Sequence, residues 1–519
     1  MKIERALISV FDKTGVVELA KGLQKHGVEI ISSGGTAKVL KKAKVKVVDV
    51  SKYTGFPEIM DGRVKTLHPA IYGGLLAVRD SKKHVNEAKK NKIKMIDLVV
   101  CNLYPFKKTA AKKTAKKKEV IEQIDIGGPS LMRAAAKNHE YVTVLADPAD
   151  YKKVLEELKE NEDTTPATKE YLAWKAFERV RAYDSAIESY FRKLTDAPEV
   201  FELRYDKAFD LRYGENPHQK AWFFRSPVNT DPNVTNSKQL SGKQVSFNNL
   251  LDADSALELV KEFKKPTCAV IKHNNPCGVA SSKTIEKAFV LAHRVDPVSA
   301  FGCVIACNKP VNMKIVDYIK KNKLFIELII APKFEPKALE QLMNKKNLRL
   351  LETGPLKLDT QRIDVKKVAG GVLVQEKDMY QLSEKDMKVV TKKKPSKEQI
   401  RAMIFATKVV KHVRSNSVVF AAVPRKGSDD DTVTGIGAGQ MSRVDSTWIA
   451  AKKAGRKALG SVMSSDAFFP FPDAVEEAAK AGVCAIVQPG GSIRDEEVFK
   501  KADELKLAMV ITGHRFFKH

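Results

Sequence analysis

The sequence predicts an α/β protein of more than one domain, on three observations. Short β-branched runs alternate with amphipathic stretches along most of the chain. A length of 519 residues exceeds what one hydrophobic core ordinarily organises. A proline-bearing segment, DAPEV, breaks the pattern after a long helical stretch and places a linker near 196–202.

The first ~150 residues carry the alternation most plainly. RALISVF reads as a strand, and KTGVVELAKGLQKHG has the apolar spacing of an amphipathic helix. VEIISS, TAKVLKKA and VKVVDV follow as strand, helix and strand. MIDLVVCNLY, EVIEQIDIGG, SLMRAAAKN and YVTVLAD continue the series, which predicts a mostly parallel sheet with helices on both faces. A long helix is expected from about Thr164 to Leu194. Beyond the linker, TCAVIKHNN reads as a buried strand running into a polar turn. SKEQIRAMIFATKVVKHV is a Ser-capped helix, SVVFAAV a strand, and VCAIVQPGG a strand entering a glycine-rich loop. These units allow two similar subdomains, although no short repeat is visible.

Composition narrows the function. Hydrophobic residues at 43% and charged residues of both signs at 30% exclude global disorder. No apolar run reaches the roughly 20 residues of a spanning helix, and MKIERALISVF lacks a signal-peptide core, so a cytoplasmic protein is expected. Six scattered cysteines predict reduced thiols. Cys303 and Cys307 share a strand face, but no second ligand pair stands at zinc spacing, and no metal site is expected. The net charge of +28 admits nucleic-acid binding as a rival reading and equally suits anionic small molecules. The lysine runs at 107–119 and 391–399 contain no interleaved aromatics and read as solvated connectors.

Two segments between a strand and a helix have the character of phosphate cradles: SVFDKTG (9–15), with Lys13, and SSGGTAK (32–38). GRVKTLHPA (62–70) adds Arg63, Lys65, Thr66 and His68 on loop-like chain. CNLYPF delivers Asn102 and Tyr104 at a strand end, QIDIGGPS sets Asp125 beside two glycines, and AAAKNH presents Lys137 and His139 at a helix end. In the second part Lys272 and His273 end the strand TCAVIK. Strand alternation would point them apart unless HNNPCG turns the backbone there.

The motifs SVFDKTG, SSGGTAK, TGFPEIMDGRVKTLHP, CNLYPF, QIDIGG and RAAAKNH resemble IMP cyclohydrolase in order and spacing. LRYGENPHQ, IKHNNPCG, SAFG, SNSV, GIGAGQMSR and SSDAFFPF resemble AICAR transformylase. The resemblance to this bifunctional family of purine biosynthesis spans essentially the whole chain. It implies a methylglyoxal-synthase-like cyclohydrolase domain at 1–198 and a transformylase domain of cytidine-deaminase-like subdomains at 203–519. The implied cyclohydrolase nucleotide site is Asp12, Lys13, Ser33, Gly35, Thr36, Arg63, Lys65, Thr66, Asn102, Asp125 and Ile126. Phe11 departs from a Ser common at that position.

Ring closure in that family is intramolecular, so positioning supplies much of the rate. Lys65 and Lys137 are candidates for steadying or protonating the former formyl oxygen, and Asp125 and Tyr104 for relaying protons at the amide. The resemblance favours Lys137 as proton donor. For formyl transfer from 10-formyltetrahydrofolate to AICAR it implies His273 as base and Lys272 as oxyanion stabiliser or proton source. Arg212, Tyr213, Gly302, Glu327, Asn416, Arg443, Phe468 and Arg515 match the AICAR side, and Val444, Asp473, Ser492 and Ile493 the folate side. The products would be formyl-AICAR and then IMP, made by a homodimer without metal, membrane or nucleic-acid partners. Cys303 departs from a common Gly. A zinc deaminase is rejected, because Asn275 and Ala280 stand where that signature needs Glu and Cys.

Overall fold

Five strands, β1 (Arg5–Ser9), β2 (Glu29–Ser32), β3 (Val48–Asp49), β4 (Leu98–Cys101) and β5 (Thr143–Leu145), form a parallel sheet in the order β3-β2-β1-β4-β5. Their apolar runs are buried on both faces, as a parallel sheet between helices requires. β3 is shorter than VKVVDV predicts. Val45 and Val47 pack into the core outside the strand, and the helix Val50–Thr54 starts at once. The long helix runs Pro166–Arg192, with Pro166 in its first turn and the Thr165 hydroxyl accepting from Thr168 N at 3.3 Å. The structure describes residues 2–357 and 363–519 in a computed structural model, and the chain divides into the units Met1–Glu202 and Leu203–His519.

The second unit opens with a hairpin of β6 (Asp206–Leu211) and β7 (Ala221–Arg225). Its first half holds β8 (Lys238–Ser241), β9 (Thr267–Lys272), β10 (Asn275–Ser281), β11 (Cys303–Cys307), β12 (Ile326–Ala331) and β13 (Arg349–Glu352). An exposed hairpin, β14 (Ile363–Val368) and β15 (Gly371–Glu376), precedes the second half. That half holds β16 (Lys388–Val389), β17 (Val418–Ala421), β18 (Asp431–Gly437), β19 (Val462–Ser465), β20 (Ala485–Gln488) and β21 (Ala508–Ile511).

Together the two halves make one 12-stranded sheet, ordered β16-β21-β20-β19-β17-β18-β10-β9-β11-β12-β13-β8. The order is a palindrome. In each half a helix leads into an antiparallel strand pair, and three further helix–strand units follow in the same pairing pattern. The halves join where β10 meets β18, antiparallel. Their leading helices, Phe247–Lys261 and Lys397–Val410, are bracketed at equivalent ends. Glu262 follows the first and accepts from Lys411 Nζ at 3.1 Å and His412 Nε2 at 3.2 Å, which follow the second. Burial opposes ionisation of Glu262, but these partners and Gln381 win and hold its carboxyl down at about 2. Among the described residues no helix is long and apolar enough to cross a membrane.

Candidate active sites

In the parallel sheet the C-terminal strand ends share one edge, so the segments after β1, β2 and β4 meet there. Asn102, just past β4, clamps the segment after β1. Its Oδ1 accepts from Phe11 N at 2.6 Å and Asp12 N at 2.9 Å, and its Nδ2 donates to Asp12 O at 2.9 Å. The Phe11 position is therefore fixed through its amide, while its ring meets Tyr104 edge-on at 5.6 Å. The exposed Asp12 carboxylate folds back on its own loop, accepting from Thr14 Oγ1 at 2.7 Å and Thr14 N at 2.9 Å, which holds its carboxyl below the usual range.

Ser33 is the N-cap of the helix Gly34–Lys42, yet its side chain takes no cap bond, which leaves the first-turn N–H groups for an anion. Thr36 is spent on structure, donating to Val10 O at 2.9 Å. The Lys65 ammonium stands over this helix start, 3.7 Å from where a Gly34 Cβ would be, and Gly35 is open. Thr66 is buried, with its hydroxyl 3.1 Å from the corresponding point on Gly127. Lys13 lies within electrostatic reach of Lys65; burial first, and that charge second, lower its pKa.

Asp125 completes the cluster. Its Oδ1 accepts from Gly128 N at 2.8 Å, and its own amide donates to Tyr183 Oη at 2.9 Å. Burial raises the Asp125 pKa against the pull of the Gly128 and Tyr104 amides and of Lys65. Ile126 is exposed, and Arg63 is paired with Glu122 at the rim. Lys137 is not brought here. It ends the helix that starts at Gly127, about 15 Å along the axis, towards the opposite sheet edge.

In the second unit the strand directions put the ends of β9, β18, β19, β20 and β21 and the starts of β10, β11, β12 and β17 on one sheet edge. The predicted turn after β9 is there. Lys272 pairs with Asn275, and His273 and Asn274 between them have φ of 51° and 61°. Two left-handed residues make a tight hairpin that ordinarily favours Asn-Gly, so the His273 backbone is strained. Asp252 holds it, accepting from Asn274 N at 2.7 Å, while Ser255 Oγ donates to Asn274 Oδ1 at 3.1 Å. Burial raises the Asp252 pKa, and the amides of Asn274 and His273 oppose that rise. Sequence reasoning missed Asp252, which carries no signal beyond an acid in a largely apolar helix.

Lys272 Nζ donates to Phe301 O at 3.1 Å and Gly302 O at 3.0 Å, which leaves its third donor for a ligand. Gly302 has φ +65°, and a Cβ there would come within 3.3 Å of that ammonium. Asn275 Oδ1 accepts from Arg414 N at 3.1 Å and so ties the turn to Asn416, whose Nδ2 donates to Gln440 O and Met441 O, both at 3.0 Å. Arg443 donates to the fully buried Asp466 at 3.1 Å, and its buried Nε has no protein partner among the described residues. The C-terminal segment straps over this cluster. Phe516 N donates to Asp466 O at 2.8 Å, and Arg515 and Arg443 stand 4.5 Å and 5.6 Å from the Phe517 ring.

Arg212 stacks on Tyr213 at 4.7 Å. Their loop is tied to the leading helix by Asn248 Nδ2 donating to Glu215 O at 3.3 Å, one helical turn from Asp252. Glu327, at the start of β12, is paired with Arg349 at 2.6 Å. Phe468 is half-buried, whereas Phe469 beside it is core. Val444 and Asp473 begin helices on this edge. Ser492 and the fully exposed Ile493 follow β20, five strands from β9 and roughly 24 Å along the edge. Cys303 is buried beneath Lys272, and nothing in the structure explains its presence there.

Comparison with known proteins adds a family assignment. The family model described as AICARFT/IMPCHase bienzyme matches residues 135–453, and that of the MGS-like domain matches residues 15–130. A "Bifunctional purine biosynthesis protein PurH" from Bacillus cytotoxicus is 51% identical over 99% of this chain and 100% of its own. Another, from Bacillus mycoides, is 50% identical with the same coverage. A solved structure titled "Crystal structure of ForH" covers 36% of this chain and 98% of its own at 33% identity, with a TM-score of 0.33.

Proposed function

The chain belongs to the bifunctional PurH family of de novo purine synthesis, and from that premise we propose how its residues divide the two reactions. It is an AICAR formyltransferase and IMP cyclohydrolase. We assign cyclisation to residues 1–198 and formyl transfer to 203–519. Each half of the large sheet has the order second-first-third-fourth-fifth among its five main strands, which supports a cytidine-deaminase-like ancestry for both.

In formyl transfer the amine of AICAR attacks the formyl carbon of 10-formyltetrahydrofolate. His273 takes the amine proton, and the free Lys272 donor faces the oxyanion and supplies a proton to the departing folate nitrogen. Arg443, Asn416 and Arg515, with Arg212 and Tyr213, hold the nucleotide. Gly302, Glu327 and Phe468 line it, and Val444, Asp473, Ser492 and Ile493 take the folate. The spread of these last positions along the edge favours a homodimer, in which a second copy supplies part of each folate site.

In cyclisation the carboxamide nitrogen attacks the new formyl carbon, and one water leaves. The phosphate rests on Lys13, Ser33, Gly35 and the first turn beneath them, with Thr66 buried behind and Arg63 and Ile126 at the rim. Asp125 accepts the amide proton, Tyr104 relays it, and Lys65 protonates the departing oxygen. Lys137, the donor that family resemblance favours, serves this site only if it crosses from a second copy. Both reactions proceed here by acid–base and electrostatic groups without a metal, in the cytoplasm. The observation that carries the reading is the Lys272–His273 turn, held in strained backbone and tied through Asn275 to Arg414, two residues before Asn416. Purified protein given AICAR and 10-formyltetrahydrofolate should release IMP. Failure to consume the folate would refute the assignment.

A further inference from the structure

The lysine-rich segment 107–118 begins and ends at the proposed cyclohydrolase site. It leaves the cyclohydrolase cluster at Tyr104 and returns to it at Asp125, and the long helix pins both ends. Phe106, buried at the root, meets the Tyr183 ring edge-on at 6.2 Å. At the return, Tyr183 Oη donates to Gln123 O at 2.7 Å and accepts from Asp125 N at 2.9 Å. One tyrosine thus fixes where the segment starts and ends relative to the proposed proton acceptor.

Between those anchors lie Lys107, Lys108, Lys112, Lys113 and Lys116–Lys118, all exposed. Among the described residues none of them is in an ion pair. Two acids stand on the return: Glu119 accepts from Lys116 N at 3.2 Å, and Glu122 is paired with Arg63. Lys108 stands close enough to Asp12, in the first phosphate segment, to act on its carboxylate. One of these charges thus lies beside the first phosphate segment, on a stretch of chain whose two ends are fixed at the cluster.

We propose that the loop 107–118 is an electrostatic collector for the phosphate dianion of the nucleotide, speeding its capture by the cyclohydrolase site. The inference rests on the cyclohydrolase reading above. Charges at such a mouth act over about a Debye length, near 10 Å at 0.1 M salt, and steer anionic ligands without touching the chemical step.

The test is the salt dependence of cyclisation with formyl-AICAR as substrate. Lys107, Lys108, Lys112 and Lys113 are changed together to Gln, and a control carries Gln at Lys385, Lys392, Lys394 and Lys397, exposed in the other unit. In the native protein and the control, kcat/KM should fall about 10-fold between ~20 and ~200 mM KCl, with kcat unchanged. In the loop variant kcat should also stand, but kcat/KM should start lower and fall less than about 2-fold. Equal salt slopes in loop variant and control overturn the collector. So does loss of the variant's retention on DNA with its cyclisation slope intact, which would make the loop a polyanion-binding surface. If the native protein shows no cyclisation at all, the cyclohydrolase reading fails instead.

Discussion

The two units gather their candidate site residues at the edge of a sheet by different means. In the first, parallel winding does the gathering: β2, β1 and β4 are neighbours, and their following segments meet with little further help. Hydrogen bonds of the single side chain Asn102 to the segment after β1 finish the cradle. In the second, the cluster draws on a strained two-residue turn, the segments around Asn416 and Arg443, and the C-terminal strap, spread from residue 272 to residue 517. Ionic and hydrogen-bond ties hold those pieces: Asp252 under the turn, Asp466 under Arg443, and the Glu262 bracket between the halves. The first site should therefore tolerate remote change, and the second should not.

The sharpest way to break that contrast is at Lys272. Its change to Met should lower formyl transfer by about 10²–10³, the usual cost of an oxyanion donor, with cyclisation intact. Next is the bracket. The Glu262 carboxyl is held at about 2, below its unfolded range, so its stabilisation is complete above the unfolded pKa and is lost as pH falls from there through the folded value. Glu262→Gln should destabilise the second unit by about 2–3 kcal/mol at pH 7 in urea unfolding, and the difference should shrink below about pH 4. In the first unit, Asn102→Ala removes three hydrogen bonds, each worth about 0.5–1.5 kcal/mol, and should raise KM for formyl-AICAR about 10-fold. Phe11→Ser should be mildest, losing only the ring contact with Tyr104, about 1 kcal/mol, because the Phe11 amide stays clamped. A larger effect for Phe11→Ser than for Asn102→Ala would show that the cradle is not built on the amide clamp.

Where the first unit's motif residues meet was largely legible in the sequence, because the motifs sit at strand ends and the fold collects strand ends. The turn at HNNPCG was legible as well, since only a backbone reversal reconciles adjacent Lys272 and His273. What could not be read lies in long-range pairing. The palindromic sheet repeats topology rather than sequence, so no period betrays it. Tyr183 is one aromatic in a 27-residue helix, and its bridge from Gln123 to Asp125 has no local signal. Asp252 lies some twenty residues before the turn that it holds. Lys137 is different: the rise of a helix starting at Gly127 already separates it from Asp125, and motif matching alone overlooks that.

The central claim, two chemistries on separate residue sets, is tested by assaying His273→Ala and Asp125→Ala on both substrates after circular dichroism confirms that each is folded. His273→Ala should lose formyl transfer by about 10²–10⁴ while still closing supplied formyl-AICAR to IMP. Asp125→Ala should consume AICAR and 10-formyltetrahydrofolate and accumulate formyl-AICAR. Loss of cyclisation in His273→Ala as deep as its loss of formyl transfer would contradict the account.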